Sequence, residues 1–532
     1  MKRFAIVLCA LSCIYVFSSA AVDAAQWSKV YGSTGNESGA IWPIATGGYY
    51  LSGNTTSYAG GTNALFAKLN VSGTVAWAKK IGGPAEDLFS VVNLSGGGFL
   101  VTGMTKSFPT TTTKYNIVWA KFNASWTPVY QKVFGGAGDE TGGFKLTSDG
   151  GLLFCGTSNS YGPAADNDIL IIKINSAGNI VWKKVFHKGT TDSASQAIEL
   201  SDGYVVSGRI TDTTASPLPG ILVMKLNKAT GLPLWKKLYR LPLTTGTVTG
   251  GSLHRLSGGS FILQGTMIPS GSTAVKTILV KISSAGAIQW QKSYGSTSAS
   301  VMASNVIENS DGTLIVSGTL MDSSAHTSIL VMKLTASGLL TTLKKRLGAT
   351  TGYNMGFVMK SDTGELLLSG THRTSLADPY LKLLYGKLNA ATFAPLWAKT
   401  FGGTKMDAGA FLARSGGYLL EGITTSFGPG VPTKTNIFGM TLDAYGNYPG
   451  CHVSAYTLTP TIPSVTAASP VLIATVPTLT IRTAGSAANI ALTVSSVSLP
   501  ASNICAPIAS EAEPPLTEEE EAETPGEQPE GE

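Results

Sequence analysis

The side chains that could do chemistry in this sequence are few and scattered. Five histidines, His187, His254, His326, His372 and His452, include no two at a metal-ligand spacing such as H-x-x-x-H. There is no G-x-S-x-G nucleophile elbow and no phosphate-binding glycine loop. Acids recur instead near glycine pairs. Glu86 and Asp87 follow Gly82-Gly83, Asp139 follows Gly135-Gly136, and Asp407 follows Gly402-Gly403, with Asp192 in a comparable loop. A carboxylate at that spacing is placed to accept N–H groups of its own turn, so Asp87, Asp139 and Asp407 read as loop caps. A second set, Asp166, Asp168, Arg209, Asp322, His326, His372, Arg373 and Asp378, holds the candidates for ligand binding. Asp166-Asn167-Asp168 could ligate calcium, but a lone D-x-D falls short of the six or more oxygens that calcium takes. No metal, cofactor or catalytic residue is assigned, calcium being the one alternative. His372-Arg373 reads as a solvated loop pair.

What positions these loops is a repeat. A Trp-x-Lys-x-aromatic-Gly segment, complete at Trp27-Ser28-Lys29-Val30-Tyr31-Gly32, recurs every 50 to 55 residues. Its further copies begin at Trp77, Tyr130, Trp182, Trp235, Trp290, a degenerate Leu343, and Trp397. Eight copies at that period indicate a repeat architecture. Between Ile169 and Gly208 lie four short runs rich in β-formers, separated by turns such as Ser176-Ala177-Gly178-Asn179. Four antiparallel strands per repeat are the content of a propeller blade.

Strand periodicity puts residues i, i+2 and i+4 on one face, so Trp182, Lys184 and Phe186 lie together. The tryptophans read as wedges between blades, each with an N–H that needs a partner. The lysine stems cover aromatic surface, with a possible cation–π contribution. The chain opens on a Trp strand without partners and ends its last repeat without one. The Trp27 strand is therefore expected to complete the last blade and shut the ring. The fold class is all-β: an eight-bladed propeller of four-stranded blades over residues 26–450.

The run Phe99-Leu100-Val101-Thr102-Gly103-Met104-Thr105-Lys106-Ser107-Phe108-Pro109, with Trp119-Ala120-Lys121-Phe122 and Val133-Phe134-Gly135-Gly136, resembles the β-propeller repeat of bacterial secreted and cell-envelope proteins. Gly156 to Gly162 and Gly422 to Gly428 repeat the pattern. The resemblance implies the propeller fold and no single activity. Leu226 to Trp235 is similar to the tryptophan-docking turn of eight-bladed quinoprotein dehydrogenases and of a related outer-membrane assembly scaffold. That likeness implies a structural turn. The adjacent Cys-Cys pair often found beside those enzymes' quinone and calcium sites is absent from the sequence.

The ends differ from the body. Residues 1–25 read as a secretory signal: Lys2 and Arg3, an apolar run to Ala21, and Val22-Asp23-Ala24 before the cut. Ala10-Leu11-Ser12-Cys13 is only a partial lipoprotein box. No later segment is a convincing transmembrane helix, Val471 to Val497 being broken by Pro477, Arg482 and Gly485. Residues 451–508 are rich in Ser, Thr, Ala, Val and Pro, and read as a small β-module or an extended stalk clasped by a Cys451–Cys505 disulfide. Cys155, in an apolar strand, reads as a buried inert thiol. Residues 509–532 read as a disordered acidic tail, with ten acids among the last 22 residues. Without signal and tail, the body carries 36 bases against 21 acids. Most lysines recur at fixed repeat positions, which disperses them and argues against a nucleic-acid partner. The expectation is a monomeric, secreted or envelope-bound bacterial protein. It would bind a protein or glycan through its loops, without catalysis, or serve as a scaffold. The alternative is an envelope hydrolase or lyase with a site dispersed over the loop face.

Overall fold

The computed structural model describes residues 26–505, except 59–60, 109–112, 162–165, 212–218, 242–245, 297, 349–351, 469, 471–472, 476–479, 483–487 and 490–491. The signal expected over 1–25 and the tail expected over 509–532 lie outside the described residues. Among the described residues there is no helix, and none long and apolar enough to cross a membrane.

The strands form six five-stranded sheets and one ten-stranded sheet. The ten-stranded sheet is two five-stranded halves that share one parallel bridge, Thr327 to Tyr353. Counting the halves separately, eight units follow along the chain, with main spans 37–82, 87–134, 140–187, 193–240, 246–295, 299–347, 353–401 and 407–442. Each of the first seven supplies four consecutive antiparallel strands, and its fourth is the Trp-motif strand. The eighth supplies three. Its fourth strand is Ser28–Tyr31, which pairs antiparallel with Asn436–Leu442 in the register Ser28 to Met440 and Tyr31 to Ile437. The expected pairing of the Trp27 segment with the last repeat is therefore present.

Eight apolar clusters lie between consecutive units. One of them joins the last to the first, with Trp27, Tyr31, Leu419 and Ile437 against Ile41, Leu51 and Leu65. The Trp motif builds these junctions in a constant way. Five of the six motif Trp rings, and the ring of Tyr130 at Gly178, lie against a glycine in the third-to-fourth strand turn of the following unit. An added Cβ would strike the ring at Gly231 (Trp182), Gly286 (Trp235), Gly338 (Trp290), Gly446 (Trp397) and Gly73 (Trp27). All five glycines have φ between 67° and 76°, where a side chain is strained. The indole N–H of Trp182, Trp235 and Trp290 donates to a backbone carbonyl of the same turn, at 2.7–3.0 Å. The motif tyrosine adds a second clasp: Tyr31, Tyr239 and Tyr294 donate their hydroxyls to the carbonyls of Gly73, Gly286 and Gly338 at 2.6–2.8 Å.

Two junctions depart from the pattern. Trp77 meets Trp126, which stands at the turn glycine's place with φ 64°, at 5.9 Å between ring centroids. Degenerate Leu343 faces a turn where the place of glycine is taken by Phe393, φ 56° and fully buried, in the same cluster. A smaller wedge is matched by a larger seat.

The units carry a fifth strand that the sequence reading did not anticipate. The described residues between 451 and 505 form neither a separate module nor a free stalk. They run along the outer edges of the units in descending order. Val453–Ala455 pairs with unit 7, Pro460–Thr461 with unit 6, Thr466–Ala468 with unit 5 and Ile473–Thr475 with unit 4. Thr480–Arg482 then pairs with unit 3, Ala488–Asn489 with unit 2 and Thr493–Ser496 with unit 1. Ala501–Asn503 ends the path on Lys29–Tyr31 in unit 8. Buried Leu458, Val465, Leu492 and Leu499 drop from this belt into the clusters between units. The Cys451–Cys505 disulfide is formed, with Cα atoms 5.3 Å apart. One motif lysine reaches the belt, Lys29 donating to Asn503 (3.1 Å); Lys344, at the variable position of the Leu343 copy, donates to the Val465 carbonyl (2.7 Å). Among the described motif lysines, a cation over its own Trp ring occurs at Lys399 and Trp397, 5.9 Å.

Candidate functional site

Antiparallel topology gathers one end of every unit from four places: the starts of the first and third strands and the ends of the second and fourth. That end carries the loops in which the candidate residues stand. In units 1 to 4 and 8 its framework is an acid at, or just before, the start of the first strand. Asp87 accepts the Gly83 N–H (2.6 Å) and the hydroxyls of Thr105 (2.5 Å) and Ser107 (2.7 Å). Asp407 does the same with Gly403 (2.9 Å), Thr424 (2.6 Å) and Ser426 (2.7 Å). The cap of the third unit is Glu140, not the expected Asp139: Glu140 accepts the Gly136 N–H (3.0 Å) and the Ser158 hydroxyl (2.8 Å). Strand alternation turns its neighbour Asp139 the other way, to the Tyr115 N–H (2.8 Å) and Lys114 (3.3 Å). Glu37 caps the first unit through Ser33 and Thr55. Glu86 is held by Lys106 at 2.8 Å. Burial raises the pKa of Asp87, Glu140 and Asp407, against the lowering effect of these bonds.

One place in this framework has different chemistry. In units 1, 2 and 8 the third strand opens on an asparagine, Asn63, Asn116 or Asn436. A glycine faces it, Gly82, Gly135 or Gly32, at which a Cβ would lie 1.7–2.2 Å from the asparagine oxygen. In unit 3 the asparagine is Asp168 and the glycine is His187. Asp168 Oδ1 and His187 Nδ1 are 2.6 Å apart, with the carboxylate fully buried and the imidazole 17% exposed. Asp192, also buried, completes the group, and one ligand atom from each of the three lies within 4.8 Å of the others. Asp192 is itself a loop cap, accepting the N–H groups of Lys188 (2.6 Å) and Gly189 (3.0 Å). Burial pushes its carboxyl up to about 6, against those bonds. A buried acid, an imidazole and an acid of raised pKa can relay a proton or hold a cation.

The remaining candidates divide. Asp322 accepts the N–H groups of Ser324 and His326, both 2.9 Å, and pairs with His326 Nδ1 at 3.0 Å. The His326 ring and the Arg373 guanidinium each lie 5.4 Å from the ring centre of Tyr353. Asp322, His326 and Arg373 thus meet where units 6 and 7 adjoin. His372 is not the solvated partner of Arg373. Its Nδ1 lies 2.9 Å from Asn354 and 3.1 Å from the hydroxyl of Tyr456 in the belt, and burial lowers its pKa. Asp378 shapes its own loop through Thr374 and Tyr380. Arg209 is exposed, and Asp166 is half-buried while Asp168 is sealed, so Asp166-Asn167-Asp168 is not one shared oxygen cage. The reading by motif missed His187. Aligning the repeats of the chain against one another exposes it, because Phe186-His187 stands where Ile81-Gly82, Phe134-Gly135 and Phe401-Gly402 stand elsewhere.

At the opposite end, between units 3 and 4, a groove of about 240 Å³ is lined by Asp149, Lys173, Glu199, Tyr204 and Lys228. Its charges neutralise one another as Lys173–Asp149 and Lys228–Glu199, both at 2.9 Å. No protein-family model matches the chain, and no curated protein matches it at a significant level.

Proposed function

We propose that the eight units close into a single eight-bladed β-propeller, and that it is a non-enzymatic binding or scaffold protein of the bacterial envelope or exterior. Its loop end is presented to a protein or glycan. Closure is supported by Trp27 and Gly73, whose contact between the last and first units has the form of the other junctions. The function rests on one observation: five buried acids of the loop end, Glu37, Asp87, Glu140, Asp192 and Asp407, accept hydrogen bonds from their own loops. They stiffen a surface rather than stand ready to react. Export is supported by the N-terminal signal and by the disulfide, which persists in oxidising compartments.

The test is affinity capture from envelope extract and a glycan array, using the wild-type protein and an Arg209→Ala/Arg373→Ala variant. A partner retained by the first and lost by the second supports the reading; no partner on either support overturns it. The alternative, an envelope hydrolase or lyase, is favoured by one feature, the Asp168–His187–Asp192 group. Turnover of a glycan or ester that disappears in Asp168→Asn/His187→Gly would establish that alternative instead.

A further inference from the structure

The belt begins beside unit 7, passes the outer edge of every unit once, and ends on unit 8, where Cys505 meets Cys451. Both cysteines pack in the apolar cluster that joins units 7 and 8, Cys451 at 5% exposure. The two ends of the belt therefore meet across the one junction that its strands leave uncrossed. Its steps suit the task. The buried wedges Leu458 and Val465, and again Leu492 and Leu499, are seven residues apart. Seven extended residues span roughly 23 Å. Each ladder is only two to four residue pairs long, too short to hold by itself.

We propose that residues 451–505 are a covalent hoop. The disulfide closes one loop of main chain around all eight blades, and no two blades can part while it is intact. This rests on the closed-ring reading above. The loop lies wholly within the C-terminal half of the chain, so it captures the N-terminal half without being bonded to it. Units 1 to 4 are held by encirclement as well as by contact. Release follows reduction by a dithiol: two electrons and two protons pass to the Cys451–Cys505 bond, two cysteine thiols result, and the reductant becomes its own cyclic disulfide.

The experiment cuts the folded protein at a protease site placed between Leu241 and Gly246. This gives one fragment with units 1 to 4 and the Ser28–Tyr31 strand of unit 8, and another with units 5 to 7, the first three strands of unit 8 and the belt. Separation is followed by size-exclusion chromatography in mild urea, before and after dithiothreitol. Because reductant is added after folding, no variant need fold without its disulfide. The hoop requires the oxidised fragments to part at least tenfold more slowly than the reduced ones. Equal rates overturn it. Electron micrographs of the uncut protein test the ring separately: an open arc overturns the closed-ring reading, whereas an annulus with equal rates overturns the hoop alone.

Discussion

Glu421 accepts the backbone N–H of Ile41 at 3.0 Å, across the junction between the last unit and the first. The same repeat position, one residue before a glycine, is Ser52, Thr102, Cys155, Ser207, Gln264, Ser317 and Ser369 in the other units. Ser52 and Ser317 use it likewise, accepting the N–H groups of Val91 (3.2 Å) and Val358 (2.8 Å) from the next unit. The position is an inter-unit clip, and only at this junction is it an ionisable acid. Cys155 stands in the same series. Its thiol is packed among apolar neighbours, and burial pushes it up to about 12, as expected of an inert cysteine.

Burial pushes the Glu421 carboxyl up to about 8, opposed by the Ile41 N–H. The folded state thus holds this proton more tightly than the unfolded chain, whose glutamates titrate near 4.5. The acid's contribution is full below that value and is lost as pH rises toward 8. Glu421→Gln has no such loss. The variant is expected to match the wild type near pH 4 and to exceed it by a few kcal/mol near pH 8. Urea unfolding at several pH values reads this directly, and a pH-independent difference refutes it.

Leu343 and Phe393 exchange bulk relative to the Trp and Gly of the other junctions. Leu343→Trp alone is expected to overpack and cost about 1–3 kcal/mol. Adding Phe393→Gly, which restores the common seat, should recover most of that cost. A double-mutant cycle measures the coupling. Additive effects of the two substitutions contradict the wedge-and-seat account.

Ser28–Tyr31 is paired on both sides, to Asn436–Leu442 and to Ala501–Asn503. Deleting residues 26–31 removes one blade strand, the partner of the last belt strand and the Trp27 wedge together. The melting temperature should fall by many degrees; an unchanged value removes the N-terminal strand from any part in closure. Tyr31→Phe, which deletes only the buried bond to the Gly73 carbonyl, should cost about 1–2 kcal/mol.

His187→Gly removes the imidazole that faces the buried Asp168 carboxylate, and should destabilise by about 1–3 kcal/mol. Asp168→Asn/His187→Gly recreates the pair found in units 1, 2 and 8, and should be closer to wild type than the single variant. Chemical denaturation of both proteins checks the order. A double variant as unstable as the single one implies that the two residues do not act as a pair.

The junctions were legible in the sequence because they are built from large residues at fixed spacing. A period of two put Trp, Lys and the aromatic on one face, and the absent fourth strand of the last repeat pointed to Trp27. The loop caps were legible as a class. Their identities slipped by one residue at Asp139 and Glu140, since both are acids and only strand phase separates them. His187 was obscured because it belongs to no spacing motif; its meaning lies in what it replaces. The belt left the weakest trace. Its strands of two to four residues are too short to show periodicity, and Pro, Ser and Thr between them read as linker. Only its two cysteines announced the connection.

The belt also acts as a gauge. In the hoop proposed above, its length suits eight steps, and its ends could be joined only with every unit in place. Arrays of repeats elsewhere can gain or lose a unit by duplication or deletion, because each unit touches only its neighbours. Here a ninth unit would leave Cys451 and Cys505 about one blade-width short of each other, and a missing one would leave slack. On that proposal the number of units would be written twice in this chain, once in the repeats and once in a strand that has to reach around them. A gene altered in one place would yield a protein that fails to seal.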